Sequence, residues 1–194
     1  MALTLSKNQS ISLEKTAGGG LTNISLGLGW DPVKAGFLGK LMGNGGEIDL
    51  DASCILLDSD LKSIDLVWFR QLKSQDGSIK HSGDNRTGDG NGDDETIHVD
   101  LQRLPASVKY LVFTVNSFTG QTFEKVENAY CRIVNAGNKS ELARFNLSER
   151  GGHTGIVMAS LARESGGWEF KAIGKVTNGR TADDLVSLAV QAVR

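Results

Sequence analysis

Gly83-Asp84-Asn85-Arg86-Thr87-Gly88-Asp89-Gly90-Asn91-Gly92-Asp93-Asp94-Glu95 contains no apolar side chain, and the stretch after it, Thr96-Ile97-His98-Val99-Asp100-Leu101, alternates polar with apolar. This junction decides the fold class. Period-two alternation marks a half-buried strand, not a helix, so the acidic run is a loop that feeds a β-strand. It carries five carboxylates (Asp84, Asp89, Asp93, Asp94, Glu95) against one Arg86, and four glycines (Gly83, Gly88, Gly90, Gly92). Two carboxylates ~6 Å apart repel by about 3 kcal/mol at an effective dielectric near 20. Such a loop is either solvated and loose or closed around a cation. If it is ordered, a cation is favoured: glycines allow sharp turns that expose carbonyls, and calcium takes about six to eight oxygen ligands.

Two familiar templates fit poorly. Asp89, Asn91 and Asp93 begin like a helix-loop-helix calcium loop, with Asp100 at its last ligand place. Asp94, however, stands where that loop needs glycine, and a strand follows instead of a helix. Gly88, Gly90 and Asp93 miss the final glycine of a dinucleotide-binding turn, and the acidic charge would repel a pyrophosphate.

Upstream, Leu3, Leu5, Ile11 and Leu13 alternate around a polar turn and predict an opening hairpin. Leu21 to Trp30 reads as a strand with Ile24, Leu26 and Leu28 on one face, and Asp31 at its end points toward the loop region. Pro32 to Gly46 is a glycine-rich insertion that carries Phe37, Leu38, Leu41 and Met42. These four either fold down on the body of the protein or form an apolar tip for a partner or a membrane surface. Ile48 to Leu57 is a further strand. Asp49 and Asp51, two apart, project from one face, and acidic residues are poor strand formers, so the pair suggests ligation. Asp58-Ser59-Asp60 reads as a turn, and Leu66 to Phe69 as a buried strand.

Downstream, Tyr110 to Val115 is apolar enough for a central strand. Thr122 to Asn128 allows one helical turn. Ala129–Val134, Leu142–Leu147, Ile156–Ala162 and Trp168–Ile173 complete a set of roughly ten strands. Thr181 to Val193 is a terminal helix: Thr181 suits the N-cap, Asp183 and Asp184 suit the first turn, and Leu185, Leu188, Ala189 and Ala192 share a face. Many strands joined by short turns predict a mainly β protein, a β-sandwich with acidic loops at one end and a C-terminal helix.

The 194 residues suit one domain, residues 1–194, with a sizeable core. A net charge of −2 without a basic block argues against general nucleic-acid affinity. The alternation near the start is unlike a signal peptide, and no apolar run reaches bilayer length; the expected location is the cytoplasm. Cys54 and Cys131 sit in apolar strand patterns outside any Cys-x-x-Cys motif and read as buried thiols. The three histidines share no metal spacing.

The acidic loop, preceded by Leu26-Gly27-Leu28-Gly29-Trp30-Asp31 and Asp49-Leu50-Asp51-Ala52-Ser53, resembles the TerD family of tellurium-resistance and general stress proteins. The likeness runs from Leu3-Thr4-Leu5-Ser6-Lys7 to Trp168-Glu169-Phe170-Lys171-Ala172-Ile173-Gly174. Gly27 to Lys34 and Thr114-Val115-Asn116-Ser117-Phe118 look most like its TerZ branch. The resemblance implies a β-sandwich that binds two calcium ions in adjoining loops, a bacterial cytoplasmic setting and no enzymatic activity. It implies Asp84, Asn85, Asp93, Asp94 and Glu95 as ligands, with Gly88 and Gly92 donating carbonyls or permitting the turn. Asp31, Asp49 and Asp51 would join them.

Three functions are open on this basis. The first is a calcium-dependent interaction module of the stress response. Its partners would be related tellurium-resistance proteins or a complex peripheral to the inner membrane face. The second is a calcium-dependent membrane-surface module using Phe37, Leu38, Leu41 and Met42. The third is a metal-assisted hydrolase, disfavoured because no Ser/His/Asp or Cys/His set is visible.

Overall fold

The computed structural model describes residues 2–32, 49–83, 92–148 and 150–194. Among them, twelve strands form two six-stranded sheets. In chain order these are β1 (Leu3–Leu5), β2 (Ser10–Ser12), helix α1 (Leu13–Ala17), β3 (Asn23–Pro32), β4 (Asp51–Leu57), β5 (Ser63–Val67), β6 (Ile79–His81) and β7 (Glu95–Asp100). Then come β8 (Tyr110–Asn116), a 3-10 turn (Phe123–Lys125), β9 (Val126–Asn135), β10 (Glu141–Asn146), β11 (Gly155–Glu164), β12 (Gly167–Thr177) and helix α2 (Ala182–Val193). The first sheet has the order β1-β10-β9-β3-β7-β6 and the second β2-β12-β11-β8-β4-β5. The mainly β expectation holds, with two packed sheets and a C-terminal helix.

Alternation explains which side each strand buries. In β3, Ile24, Leu26, Leu28 and Trp30 enter the core between the sheets, beside Ile133 of β9 and with Cys54, Leu111 and Phe113 of the second sheet in the same core. The second sheet is apolar on both sides. Ile55, Leu57, Val112, Val157 and Ile173 form a second layer that α2 covers with Ala189 and its neighbours. That double cover is why β4 is buried at every position. Helix α2 begins as expected: the Thr181 side chain accepts from Asp184 N–H while the Asp184 carboxylate accepts from Thr181 N–H, a reciprocal cap. Cys54 and Cys131 are free and fully buried, and burial pushes the Cys131 thiol up to about 12.

Two local readings change. The opening hairpin does not form: β1 pairs in parallel with β10 in the first sheet, while β2 pairs with β12 in the second. Three-residue strands carry too little pattern to fix a partner, and the turn between them crosses from one sheet to the other. The strand expected over Leu66–Phe69 ends at Val67; Trp68 and Phe69 stand half-buried in the turn beyond it.

The register fixes what shares an end. Leu28 pairs with Glu95, Asp51 with Asn116, and Asn116 with Gly155. The C-terminal ends of β3 and β8 therefore lie at the same end as the N-terminal starts of β4, β7 and β11.

Candidate functional site

Asp93, Asp94 and Glu95 follow one another in sequence, yet each goes to a different place. Asp93 folds back over the outer face of the first sheet. Arg132 on β9 grips it through Nε to Oδ1 at 2.8 Å and Nη2 to Oδ2 at 3.0 Å, and Tyr130 Oη donates to Oδ1 at 3.1 Å and to Gly92 O at 2.8 Å. Two glycines of β3 make room. A Cβ on Gly27 would run into the Asp93 carboxylate, and one on Gly29 into the Tyr130 ring. Arg132 also donates to Glu141, which Arg144 holds by two further bonds, and Arg144 lies 4.2 Å from the Tyr130 ring centroid. Burial first, and then Asp93, push the Tyr130 phenol up to about 12.

Asp94 turns to the end of β3. Its N–H donates to Leu28 O at 2.7 Å, and its Oδ2 accepts from Trp30 N–H at 2.8 Å. The pairing of β3 with β9 shifts register between Gly29 and Asp31, at the point where Asp94 takes the Trp30 amide. Burial raises the Asp94 carboxyl above its usual range, and the nearby charges of Asp31, Glu95 and Asp93 add to the rise. Asp31 is exposed, and its Oδ2 accepts from Asn128 at 2.8 Å.

Glu95 goes inward, in phase with Ile97 and Val99, and is 1 % exposed. Its Oε2 accepts from Ala52 N–H at 2.7 Å, linking the first sheet to the start of β4. The same oxygen lies 3.3 Å from Nε2 of buried His81. Gly83 N–H donates to His81 Nδ1 at 3.0 Å, so Nδ1 is the acceptor and Nε2 carries the proton that Ala52 O and Glu95 share.

Asp51 lies in β4 and Asp49 just before it. Asp51 is 4 % exposed and alternates with Ile55 and Leu57, on the α2 side of the second sheet. Its neighbour across the strand pair is Asn116, itself 1 % exposed. Asn116 Nδ2 donates to Arg180 O at 2.8 Å, while its buried Oδ1 accepts no hydrogen bond among the described residues.

The structure thus brings Asp31, Asp93, Asp94 and Glu95 around the β3–β7 junction and sets Asp51 beside Asn116 on the other sheet, with Asp49 just before β4. Asp84, Asn85 and Gly88, like Phe37, Leu38, Leu41 and Met42, lie outside the described residues. Among the described residues, no three His, Cys, Asp or Glu side chains gather as a metal-binding group. Sequence reasoning missed His81, Asn116 and Arg132. Arg132 and Asn116 come from strands remote in sequence from the acidic loop. His81 stands just ahead of that loop in a short strand, where nothing signalled a partner.

Beside Asp94 lies a cleft of about 730 Å³. Trp30, Phe123, Val126 and Leu147 line it with apolar surface, Asp31 and Asp94 with carboxylates, and Arg144 and Arg150 with guanidiniums.

The described residues form a two-sheet β-sandwich with several carboxylates placed toward one end. The chain belongs to the TerD domain family, whose model matches residues 1–189. It is 56 % identical over 192 residues to tellurium resistance protein TerZ of Serratia marcescens, covering 98 % of each chain. It is 41 % identical over 199 residues to stress response protein SCP2 of Bacillus subtilis (strain 168), covering 96 % of this chain and 98 % of that one. The fold matches the crystal structure of a homologue of telluride resistance protein (TerD) from Streptomyces coelicolor A3(2), with a TM-score of 0.68 at 24 % identity over 86 % of this chain and 96 % of that one.

Proposed function

We propose that this protein is a calcium-dependent, non-enzymatic interaction module of tellurium resistance and stress response. The observation that carries this reading is the crowding at Asp94. The half-buried Asp94 carboxylate has Asp31, Glu95 and Asp93 as the like charges acting on it, and an arginine fork from Arg132 holds Asp93. Crowded carboxylates of this kind are relieved by a bound cation. The donors are hard oxygens, which fits calcium and not a soft metal. Asp31, Asp94 and Glu95 would serve one ion, completed by Asp84, Asn85 and the carbonyls of Gly88 and Gly92. Asp49, Asp51 and the Asn116 amide oxygen would serve a second. Asp93 would then set the loop's position through Arg132.

Calcium would fix the acidic loop and so switch the surface this end presents. The partners would be related tellurium-resistance proteins or a complex at the inner face of the membrane, with the protein in the cytoplasm. The tests are calcium titration calorimetry and thermal melts on chelator-stripped protein. About two ions bound, with a raised Tm, is the expected result. No saturable binding would sink the reading.

A membrane-surface role is the second reading, favoured by one observation. Trp68, Phe69 and Phe118 cluster edge to face at 5.0 and 5.6 Å, with Arg70 within 5.4 Å of all three rings. Phe118, at 36 % exposure, follows β8 at the Asp51 end of the sandwich. Calcium-dependent sedimentation with anionic vesicles, weakened in F69A/F118A, is the outcome that supports it. Hydrolysis has no such support: His81 and Glu95 are buried and bonded to backbone, not aimed into a cleft.

A further inference from the structure

We infer that a basic cleft at the end of the first sheet away from the acidic stretch binds the pyrophosphate group of a small molecule, held by Lys73, Lys80, Arg103 and Lys139. The inference does not rest on the calcium reading. The two sites share no residue, and every group named for this one lies among the described residues.

The cleft has a volume of about 390 Å³, enough for a small ligand. It opens beside Asn23 at the start of β3 and Asp100 at the end of β7, which pair with each other; Leu28 and Glu95 pair at the opposite, acidic end. Lys80 on β6 is the cross-strand partner of His98 on β7, and Ser25 on β3 is the next in the row. The residues flanking each of these in sequence are buried, so all three point away from the core. Lys73 stands opposite Lys80 in an isolated antiparallel bridge. It also reaches over Gly77, which lines the cleft: Lys73 Nζ lies 3.3 Å, and Arg103 Nη2 3.7 Å, from the point where a Gly77 Cβ would stand. Lys139 belongs to the β9–β10 turn, whose Gly137 lines the other side.

The positive charge here is uncompensated. Like charges directly opposite one another weaken a strand pair, yet Lys73 and Lys80 are so placed. Among the described residues Lys73, Lys80 and Lys139 form no ion pair. Arg103 Nη2 donates to Asp76 O at 3.4 Å, long for a hydrogen bond. The local carboxylates are engaged elsewhere: Asp100 Oδ1 accepts from the N–H groups of Gln102 and Arg103, and the Asp76 carboxylate from the Ser78 and Ser74 side chains. His98 registers the field. Its Nδ1 lies 2.8 Å from Ser25 Oγ, and burial first, then Lys139 and Lys80, hold the imidazole below its usual range. The four cations come from separate segments of the chain, which is why no basic block shows in the sequence.

This arrangement selects a compact polyanion. Exposed lysines act as point charges on flexible stems. A singly charged anion engages one of them. Pyrophosphate carries several charges on two linked phosphoryl groups, so it meets neighbouring cations at once. Citrate holds its charges on separate carbons and concentrates them less. Among the described residues the lining has no aromatic ring besides His98, so a nucleobase gains no stacking platform. Recognition then ends at the phosphates, and any pendant group stays in solvent.

Free pyrophosphate and a diphosphate ester offer the same chemistry, and the experiment separates them. Pyrophosphate, ADP, orthophosphate and citrate are each titrated into the full chain at low salt with chelator present, so that no divalent cation contributes. Pyrophosphate should bind saturably, at least tenfold tighter than orthophosphate or citrate, and should weaken as salt rises. K80Q should weaken it roughly three- to fivefold and K73Q/K80Q about tenfold, the scale of exposed ion pairs. K15Q on α1 makes the same change in net charge and should leave binding unaltered. The ligand-free Tm of K73Q/K80Q should not fall, because the substitutions remove a repulsion; its lost affinity is then not a loss of fold. Bound pyrophosphate should raise the midpoint of the His98 ring titration followed by NMR, since its charge offsets Lys139 and Lys80. By linkage, binding should strengthen as pH falls through that midpoint.

ADP binding as tightly as pyrophosphate assigns an ester as the source; pyrophosphate binding alone assigns the free ion. Absence of saturable pyrophosphate binding overturns the inference. So does binding that ignores K73Q/K80Q, an equal loss in K15Q, equal affinity for citrate, or a His98 midpoint that saturating pyrophosphate leaves in place. None of these outcomes bears on calcium, which the chelator excludes throughout.

Discussion

Arg132 and Asp93 meet as a two-bond fork across the outer face of the first sheet, Nε to Oδ1 at 2.8 Å and Nη2 to Oδ2 at 3.0 Å. The pair decides what the acidic loop can do. With its Asp93 end anchored to β9, the residues after it divide between the end of β3 and the core. Replacing Arg132 by Met keeps the aliphatic stem and removes the fork. The side chains are 29 % and 15 % exposed, so the pair is partly screened. Loss of roughly 1–3 kcal/mol is expected, read as a lower urea midpoint in calcium-free protein. Arg132→Lys should recover only part, since an ammonium cannot make the fork. An unchanged midpoint in R132M would mean the fork adds nothing to the fold.

Gly27 is the floor under that pair. A methyl group there would occupy the space of the Asp93 carboxylate, which can move only by breaking from Arg132 and Tyr130. Gly27→Ala should therefore cost roughly 1–3 kcal/mol as overpacking. In the R132M background the same change should cost less, because the carboxylate is then free to yield. Equal costs in both backgrounds would show that the methyl clashes with something other than the anchored Asp93.

Glu141 gives the fold an acid-sensitive contact away from the proposed metal ligands. Hydrogen bonds from Arg144 chiefly, and from Arg132, hold its carboxyl below the usual range, with burial opposing them. A depressed folded value means that the unfolded chain takes up the proton first as pH falls. The contribution is thus fully present above the ordinary glutamate value, about 4.3, and is lost as pH falls below it toward the folded value. Glu141→Gln should flatten the dependence of stability on pH in that acid window. Urea midpoints of both proteins at neutral and acid pH check this; parallel curves would remove Glu141 as the cause.

How much of this was legible in the chain follows from how local each signal is. Alternation in Ile97-His98-Val99 and the capped pattern after Thr181 are short-range, and both elements form where the sequence put them. Leu3–Leu5 and Ser10–Ser12 had no such strength, and their partners are β10 and β12, far along the chain. The acidic run stood out by composition alone. That Asp93, Asp94 and Glu95 diverge could not be read, because their destinations are set by Arg132, Trp30 and Ala52. Nor could Asn116: only the β4–β8 register sets it opposite Asp51.

Glu95 separates the structural role of the acidic stretch from its proposed metal role. Its Oε2 accepts from Ala52 N–H at 2.7 Å and lies 3.3 Å from His81 Nε2, with both side chains fully enclosed. Glu95→Ala removes that acceptor and leaves the Ala52 amide buried without this bond, at a cost of roughly 1–3 kcal/mol. Glu95→Gln keeps an amide oxygen in place for Ala52 and removes the charge, so its calcium-free urea midpoint should stay closer to that of the unaltered protein. If Glu95 also holds calcium, E95Q should lose most of the rise in Tm that calcium produces, because a neutral oxygen replaces an anionic ligand. The two variants then order oppositely to a purely structural role, in which stability alone changes and the calcium response survives. Melts of E95Q and E95A with chelator and with calcium decide it: a full calcium-induced rise in E95Q would assign Glu95 to the tether between the sheets and remove it from the ligand set.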